Sequence, residues 1–149
     1  NTFSNLYDSF KEGVKSTGNS SRGGSPMGRS SEPIPISAPH NLKVNPGTSS
    51  QEDMIKDTKQ GLLVGRLWYT YAVNPIKGDF SCTARSGIHV IENGEIKNSG
   101  KSVRIINNIT TMLKNISEIG NNQRNVIQWA SLPSITPSIK VENITVNSI

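Results

Sequence analysis

The chain has 149 residues, enough for one domain with a modest core, and its apolar share of 33% is low for a compact domain. A single cysteine excludes an internal disulfide framework, and no run is long and apolar enough to span a bilayer. The net charge is +5, but the cations are scattered and not interleaved with aromatic residues, which favours a solvated basic surface over a nucleic-acid interface. The polar N-terminus has no apolar signal-peptide core, so we expect a cytoplasmic protein. The chain begins without Met, for which a cut from a longer protein is the simplest explanation, and tag removal or processing would give the same start.

The N-terminal part begins with an amphipathic pattern and then loses its apolar residues. The spacing of Leu6, Phe10 and Val14 at i, i+4 and i+8 predicts a helix within residues 1–17. Residues 16–39 are rich in Ser, Gly, Pro and Arg, and they cannot bury enough apolar surface to offset the entropy of ordering. We therefore expect a disordered segment or a long loop held by another part of the protein.

The chain from residue 40 onward is predicted to be rich in strands. Ser49 or Ser50 caps a predicted helix that runs to about Lys59, with Gly61 just after its end. The Asn93-Gly94 pair is the strongest hairpin signal in the chain. The predicted strands comprise residues 41–44, 62–73 (one long bent strand or a pair), 80–84, 86–92, 95–97, 126–130 and 138–141.

A second long helix is predicted after these strands. Apolar residues at helical spacing, from Ile105 to Ile119, indicate a helix over about residues 107–119, which Gly120 ends. We divide the chain into residues 1–39, a short helix and a flexible loop, and residues 40–149, a β-rich domain. The predicted fold class is α+β, a mainly antiparallel sheet with two to three helices.

The candidate metal-ligating residues are few and lie far apart in the sequence. Zinc needs three or four converging His, Cys or carboxylate ligands, and the sequence offers only His40, His89 and Cys82 besides its carboxylates. His40 follows Pro39 and is interpreted as a loop residue, while His89 lies on a solvated sheet face. Cys82 has no neighbouring His or basic pair to lower its pKa, so we interpret it as a small buried side chain. We predict no catalytic residue and no metal ligand in this chain.

Three charged residues of the strand region remain as candidates. Asp79 and Glu92 suit turn-capping roles, and nothing in the sequence places them together as a catalytic pair. Arg85, in the small-residue run TARSG, suits a cation that holds a carboxylate of a peptide, and a surface salt bridge is the alternative. Arg85 and the adjacent Ser86 are therefore our candidate substrate-lining residues.

Several motifs, taken in order, resemble the C-terminal domain of the TldD/PmbA family. They are SFKEGVKSTGNSSR (9–22), HNLKVNPGTSSQEDMIKDTKQGLLV (40–64), the run from NP through GDFS to IENGEI (74–96), VRIINNITTMLKNISEIGNN (103–122) and PSIKVENITV (137–146). Family members are described as zinc-dependent proteases and also as modulators of DNA gyrase. Each motif is weak alone, and their order and spacing together are specific.

The resemblance implies a role in proteolysis without the zinc site itself. In the family, a helix with an HExxxH zinc motif precedes this domain, and in TldD-type subunits a Cys near the C-terminus completes the site. Trp129 stands at the position of that Cys, and an indole cannot ligate zinc. The resemblance therefore implies the non-catalytic PmbA/TldE type, and Trp129 becomes a third candidate lining residue.

The resemblance also implies partners. A PmbA/TldE-type subunit pairs with a TldD-type subunit, as a homo- or heterodimer, around a chamber for unfolded peptides held in extended form. Zinc then belongs to the full-length protein or to its partner, and this chain binds no cofactor. Two alternatives stay open: an active zinc metallopeptidase whose HExxxH motif lies upstream, and a DNA-associated gyrase modulator supported only by the net charge of +5.

Overall fold

The computed structural model describes residues 4–22, 35–37, 41–126 and 133–149. The chain forms two compact units, one of Asn1–Asn45 with Gln123–Thr136 and one of Pro46–Asn122 with Pro137–Ile149. The division at residue 39 stays a prediction. The elements are α1 (Leu6–Glu12), β1 (Ser20–Arg22), β2 (Pro35–Ser37), β3 (Leu42–Lys43), α2 (Gln51–Lys56), β4 (Gln60–Asn74), β5 (Asp79–Glu92), β6 (Glu95–Ser99), β7 (Val103–Asn108), α3 (Ile109–Lys114), β8 (Ile116–Ile119), β9 (Arg124–Val126), β10 (Ser134–Thr136), β11 (Ile139–Val141) and β12 (Val146–Ser148).

In the first unit, α1 is shorter than the predicted helix. Its N-terminus carries a capping box, in which the Asn5 side chain accepts from the Asp8 backbone N–H and the Asp8 carboxylate accepts from that of Asn5. Two hydrogen bonds lower the pKa of Asp8: the one from the Ser37 hydroxyl has the larger effect, and the one from the Asn5 backbone has the smaller. Gly13 ends the helix in the left-handed conformation. The helix therefore stops before Val14, the last residue of the predicted apolar pattern.

The same unit contains two small sheets. β1 and β2 form an antiparallel ladder, and β10 lies between β3, with which it is parallel, and β9, with which it is antiparallel. The predicted strand at residues 41–44 is confirmed by β3. The predicted strand at 126–130 extends outside the described residues, which place Val126 at the end of β9.

In the second unit, α2 precedes the main sheet. Ser50 caps α2, as the sequence predicted, and Met54 is buried. The helix ends at Lys56, earlier than predicted, and Gly61 lies inside β4 instead of after the helix. The described main sheet has the order β12-β7-β5-β4, with β6 also paired to β5, and all of these pairings are antiparallel.

The centre of this sheet is one long hairpin of β4 and β5. β4 is a single strand, which confirms the long-strand alternative of the prediction, whereas the two strands predicted at 80–84 and 86–92 are one continuous strand. Asn93 and Gly94 both have positive φ, 49° and 80°, so the predicted Asn-Gly turn to β6 is confirmed.

The second predicted helix is wrong over most of its length. Residues 103–108 form β7, which pairs with Asp79–Ala84 of β5, and only Ile109–Lys114 is helical. Ile116–Ile119 is β8, which pairs with β11. The Lys140 ammonium on β11 lies 2.8 Å from the Glu118 carboxylate on β8. Hydrogen bonds from Lys140, which has the larger effect, and from Ser49 lower the pKa of Glu118.

The α+β prediction is confirmed, since three short helices accompany sheets that are dominated by antiparallel pairing. The buried apolar core of the described residues is small and lies around β5 and α2; it consists of Met54, Cys82, Ala84, Ile88 and Ile91. None of the described helices is long and apolar enough to cross a membrane.

Candidate functional site

Two glycines lie opposite each other near the middle of the β4–β5 hairpin. Gly65 and Gly87 approach so closely that a Cβ added at Gly65 would lie 3.3 Å from the carbonyl oxygen of Gly87. Gly87 has a φ of +63°, a conformation that residues with a side chain rarely adopt. This glycine pair separates the half of the hairpin in which β5 pairs with β6 from the distal half, formed by residues 66–74 and 79–86.

Three register shifts follow the glycine pair, and the first two are bulges close to it, one on each strand. Arg66 pairs with Ser86 and Leu67 with Ala84, so Arg85 is an extra residue on β5. Trp68 then pairs with Thr83 and Tyr71 with Ser81, which leaves two residues of β4, Tyr69 and Thr70, opposite one residue of β5. Bulges re-aim side chains and are frequent beside binding sites.

Tyr69 adopts a backbone conformation that is unusual for its residue type. Its φ is +50°, in the left-handed region, which costs an L-residue other than Gly about 1–2 kcal/mol. The residue is 65% exposed, so burial does not offset this cost. A strained residue with an exposed aromatic ring indicates a functional position.

The bulges bring two arginines onto two aromatic rings. The guanidinium carbon of Arg66 lies 4.0 Å from the ring centroid of Trp68, and that of Arg85 lies 5.8 Å from the ring centroid of Tyr69. Arg85 Nη1 also donates to the Tyr69 hydroxyl at 3.3 Å. The indole N–H of Trp68 donates to Ser86 Oγ at 3.4 Å, which connects the two strands. We call Arg66, Trp68, Tyr69, Arg85 and Ser86 the bulge cluster.

The bulge cluster is positively charged without a nearby counter-charge on its sheet. No Asp or Glu occurs in β4, β7 or β12, or in β5 between residues 80 and 91. The ion pairs of the described residues are Lys97–Glu95 and Lys140–Glu118, and neither involves Arg66 or Arg85. Arg104 is exposed on β7 and pairs with Thr83 of β5, which in turn pairs with Trp68 of β4. Arg104 therefore adds a further cation to this row of residues across the sheet.

The outer edge of β4 is the edge of the described sheet. β4 pairs only with β5 in the described part of the chain, so the outward backbone N–H and C=O groups of its distal half have no strand partner there. From residue 65 to 73, every residue but Trp68 is exposed, and Ile76 in the following turn is 97% exposed. Such an edge is a template for an additional strand.

The strain at Tyr69 leads to a stability prediction. Tyr69→Gly removes the left-handed strain, so it should leave the free energy of unfolding unchanged or raise it by about 1 kcal/mol. Tyr71→Gly is the matched control: Tyr71 is similarly exposed on the same strand but has no positive φ, so the change should cost about 1 kcal/mol. Urea titrations of the full-length variants measure both, and a Tyr69→Gly loss as large as that of Tyr71→Gly would contradict the strain argument.

Only some of the site residues predicted from the sequence lie in the bulge cluster. Arg85 and Ser86 lie in the bulge cluster, whereas Trp129 and His40 lie outside the described residues. The sequence analysis missed Arg66, Trp68 and Tyr69. These residues belong to the run RLWY, which was predicted only to be part of the strand at residues 62–73.

The other residues considered from the sequence have structural surroundings. Cys82 is 1% exposed, and burial raises the pKa of its thiol against the opposing effect of the Thr70 hydroxyl, which is the expected environment of an inert thiol. His89 is half-buried in β5. The Asp79 carboxylate accepts a hydrogen bond of 2.9 Å from Asn108, and Glu92 precedes the Asn-Gly turn, so the two carboxylates lie at opposite ends of β5.

The described residues contain no group of three His, Cys, Asp or Glu side chains that could hold a metal ion. They therefore do not by themselves fit a zinc site, and no chemical step is assigned to zinc in this domain.

The family follows from comparison with known proteins. Residues 1–148 match the family model described as the PmbA/TldA metallopeptidase C-terminal domain. The chain belongs to the TldD/PmbA family. No curated protein matches it at a significant level.

Solved structures of this family share its fold. The chain is 30% identical to TldE from Thermococcus kodakarensis over 96% of its length, with a TM-score of 0.75. It is 29% identical to a candidate modulator of a DNA gyrase from Thermotoga maritima over 97% of its length, with a TM-score of 0.71. A candidate gyrase modulator from Bacteroides thetaiotaomicron, 21% identical over 92% of the chain with a TM-score of 0.56, shares the fold.

This TldD/PmbA domain corresponds to only part of those proteins. It covers 30% of the Thermococcus and Thermotoga chains and 26% of the Bacteroides chain. The resemblance read from the sequence motifs is thus confirmed for the C-terminal domain of the family.

Proposed function

We propose that this domain is the C-terminal domain of a non-catalytic, PmbA/TldE-type subunit in the cytoplasm. It pairs with a TldD-type subunit and forms part of the wall of a chamber in which that partner cleaves unfolded peptides. The observation that carries the proposal is the similarity to TldE along nearly the whole chain, at 30% identity.

The ligand inventory supports the non-catalytic assignment. The described residues supply no group of metal ligands, and the sequence has Trp129 where TldD-type subunits have a zinc-binding Cys. Cys82, the only thiol in the sequence, is buried in β5 with a raised pKa, so it does not replace that ligand.

The exposed distal half of the hairpin and its turn support the proposed role as a chamber wall, in which other parts of the protein cover this surface. Large apolar side chains there are exposed, namely Leu67, Tyr69, Tyr71, Val73 and Ile76. Contiguous exposed apolar side chains of this kind are typical of surfaces that bind another polypeptide.

The test compares the full-length protein alone with the same protein co-expressed with a TldD-type subunit. We expect the protein alone to purify without stoichiometric zinc and to leave an unfolded reporter peptide intact, and the co-purified pair to cleave it. The matched control is the pair whose TldD-type subunit has the Glu of its HExxxH motif replaced by Gln, which should assemble but not cleave.

Two results would contradict the proposal. Stoichiometric zinc with peptidase activity from the protein alone would establish the active metallopeptidase alternative. Salt-sensitive binding to double-stranded DNA, without co-purification or cleavage, would favour the gyrase-modulator alternative.

A further inference from the structure

We propose that the bulge cluster selects acidic polypeptide segments, whose Asp and Glu side chains bind Arg66 and Arg85 while the segment lies extended along the outer edge of β4. This inference deepens the proposed function, on which its role in peptide cleavage rests, but it is tested by binding and not by cleavage.

The first argument is the orientation of the two guanidinium groups. Each is held near an aromatic ring, at 4.0 Å for Arg66 on Trp68 and 5.8 Å for Arg85 on Tyr69. A guanidinium beside a ring keeps N–H donors for a carboxylate, and Arg85 uses Nη1 for the Tyr69 hydroxyl with further donors left. The arginines are thus pre-ordered before a ligand binds, which lowers the entropic cost of binding.

The second argument is charge complementarity. Neither Arg66 nor Arg85 forms an ion pair with a described residue, and the strands around them carry no Asp or Glu between residues 80 and 91 of β5 or along β4. Arg104 on β7 adds to the same positive field. A segment that brings carboxylates is attracted to this region, and a basic segment is repelled.

The third argument is the geometry of the edge. The outward backbone groups of the distal half of β4 have no partner strand among the described residues, and an extended polypeptide can pair with them by adding a strand. Successive side chains of an added strand point to opposite faces, so one segment can present carboxylates to both guanidinium groups whichever face each occupies.

A polypeptide fits this edge better than a single-stranded nucleic acid. Bases need free aromatic faces, and the ring of Trp68 already lies against the Arg66 guanidinium at 4.0 Å. A nucleic-acid backbone also cannot complete the hydrogen-bond ladder of a strand edge. Exposed Leu67, Tyr71 and Val73 beside the arginines instead suit the apolar side chains of a peptide.

The experiment measures binding of labelled peptides of about ten residues, an ordinary strand length, to the full-length protein by fluorescence anisotropy. One peptide repeats Glu-Glu-Val-Val, which places carboxylates on both faces of an added strand, and its matched control repeats Gln-Gln-Val-Val. Both are acetylated and amidated, so that only side chains differ in charge. We expect the Glu peptide to bind about tenfold more tightly, and its advantage to shrink between about 0.05 and 0.5 M salt because the arginines are exposed.

Variants assign the preference to the bulge cluster. Arg66→Gln and Arg85→Gln should each weaken Glu-peptide binding about fivefold and leave Gln-peptide binding unchanged, and Arg85→Lys should restore only part of the loss. Arg124→Gln is the matched control, because Arg124 is an exposed arginine on β9 and not on this sheet. Circular dichroism of each variant verifies that the fold is retained.

Three outcomes would overturn the inference. They are equal affinity for the Glu and Gln peptides, equally tight binding of a Gln peptide that keeps a free C-terminal carboxylate, and tighter binding of an oligothymidine probe that Arg85→Gln abolishes. Loss of the acidic preference with partner-dependent cleavage intact would overturn only this inference and leave the proposed function standing.

Discussion

Replacing Gly47 by Ala should destabilise the second unit by about 3 kcal/mol, at the upper end of what overpacking costs. A Cβ at residue 47 would lie 2.0 Å from the carbonyl oxygen of Ile119 and 2.8 Å from its carbonyl carbon. Both atoms are backbone, so no side-chain rotation relieves the contact. The Gly47 N–H also donates to the Gly120 carbonyl at 2.9 Å, and the shift that admits a methyl group would break this bond.

Gly18→Ala is the control for the Gly47 prediction. Gly18 has a φ of +74° but no atom within 4 Å of an added Cβ, so the change should cost only the left-handed backbone term of about 1 kcal/mol. Hydrogen exchange of the full-length protein at increasing denaturant measures the loss in each unit, in peptides that cover β8 and β11 for Gly47→Ala and in peptides that cover α1 for Gly18→Ala. Equal and small effects of the two substitutions would show that the close approach of residue 47 to β8 does not exist in solution.

Asn122→Ala should be the next most costly change, at about 2–3 kcal/mol for the loss of three half-buried hydrogen bonds. The Asn122 side-chain amide donates to Gln51 Oε1 at 3.2 Å and to Ser138 Oγ at 2.9 Å, and its oxygen accepts from the Ser138 backbone N–H at 2.9 Å. The residue therefore connects α2 with the approach to β11. Removing its side chain leaves the Ser138 N–H without that partner in a partly buried place.

The neighbouring asparagine provides the control. Asn121 is exposed, and its hydrogen bond to the Ser49 carbonyl comes from its backbone N–H, so Asn121→Ala should change the free energy of unfolding by less than about 0.5 kcal/mol. Chemical denaturation of the full-length protein with each substitution measures the difference. If Asn122→Ala is as mild as Asn121→Ala, water replaces the amide and the network does not stabilise the unit.

Local signals predicted those parts of the fold that depend on nearby residues. The Asn93-Gly94 turn, the Ser50 cap and the long apolar strand at residues 62–73 each have a short-range cause, such as positive φ at a turn or a hydroxyl acceptor at a helix start. These elements appear close to where the sequence placed them.

The failed helix prediction has a tertiary cause. The apolar spacing from Ile105 to Ile119 fits a helix, but many of the residues in between are β-branched Ile and Thr, which are equally suited to strands. Pairing of β7 with β5 decides for the strand, and Asn108 then caps the short α3 by accepting from the N–H groups of Thr110 and Thr111. Only the position of β5 distinguishes these outcomes, and it is not a local property.

The candidate site was even less accessible from sequence. Arg85 and Ser86 were identified from their small neighbours, but the bulge that aims Arg85 at Tyr69 arises from a shift in strand register. Residue preferences do not predict a left-handed Tyr, because left-handed positions are normally occupied by Gly or Asn. Arg66 and Trp68 therefore looked like ordinary strand residues.

The open edge of β4 also has a consequence for how this polypeptide must be produced. From Leu67 to Val73 the strand carries no charge and no proline, and such a segment can stack with copies of itself into aggregates. Arg66 and Lys77, which flank this stretch, are charged gatekeepers that limit such stacking. The domain produced alone should therefore precipitate at high concentration, and a second polypeptide that covers this edge should reduce the precipitation.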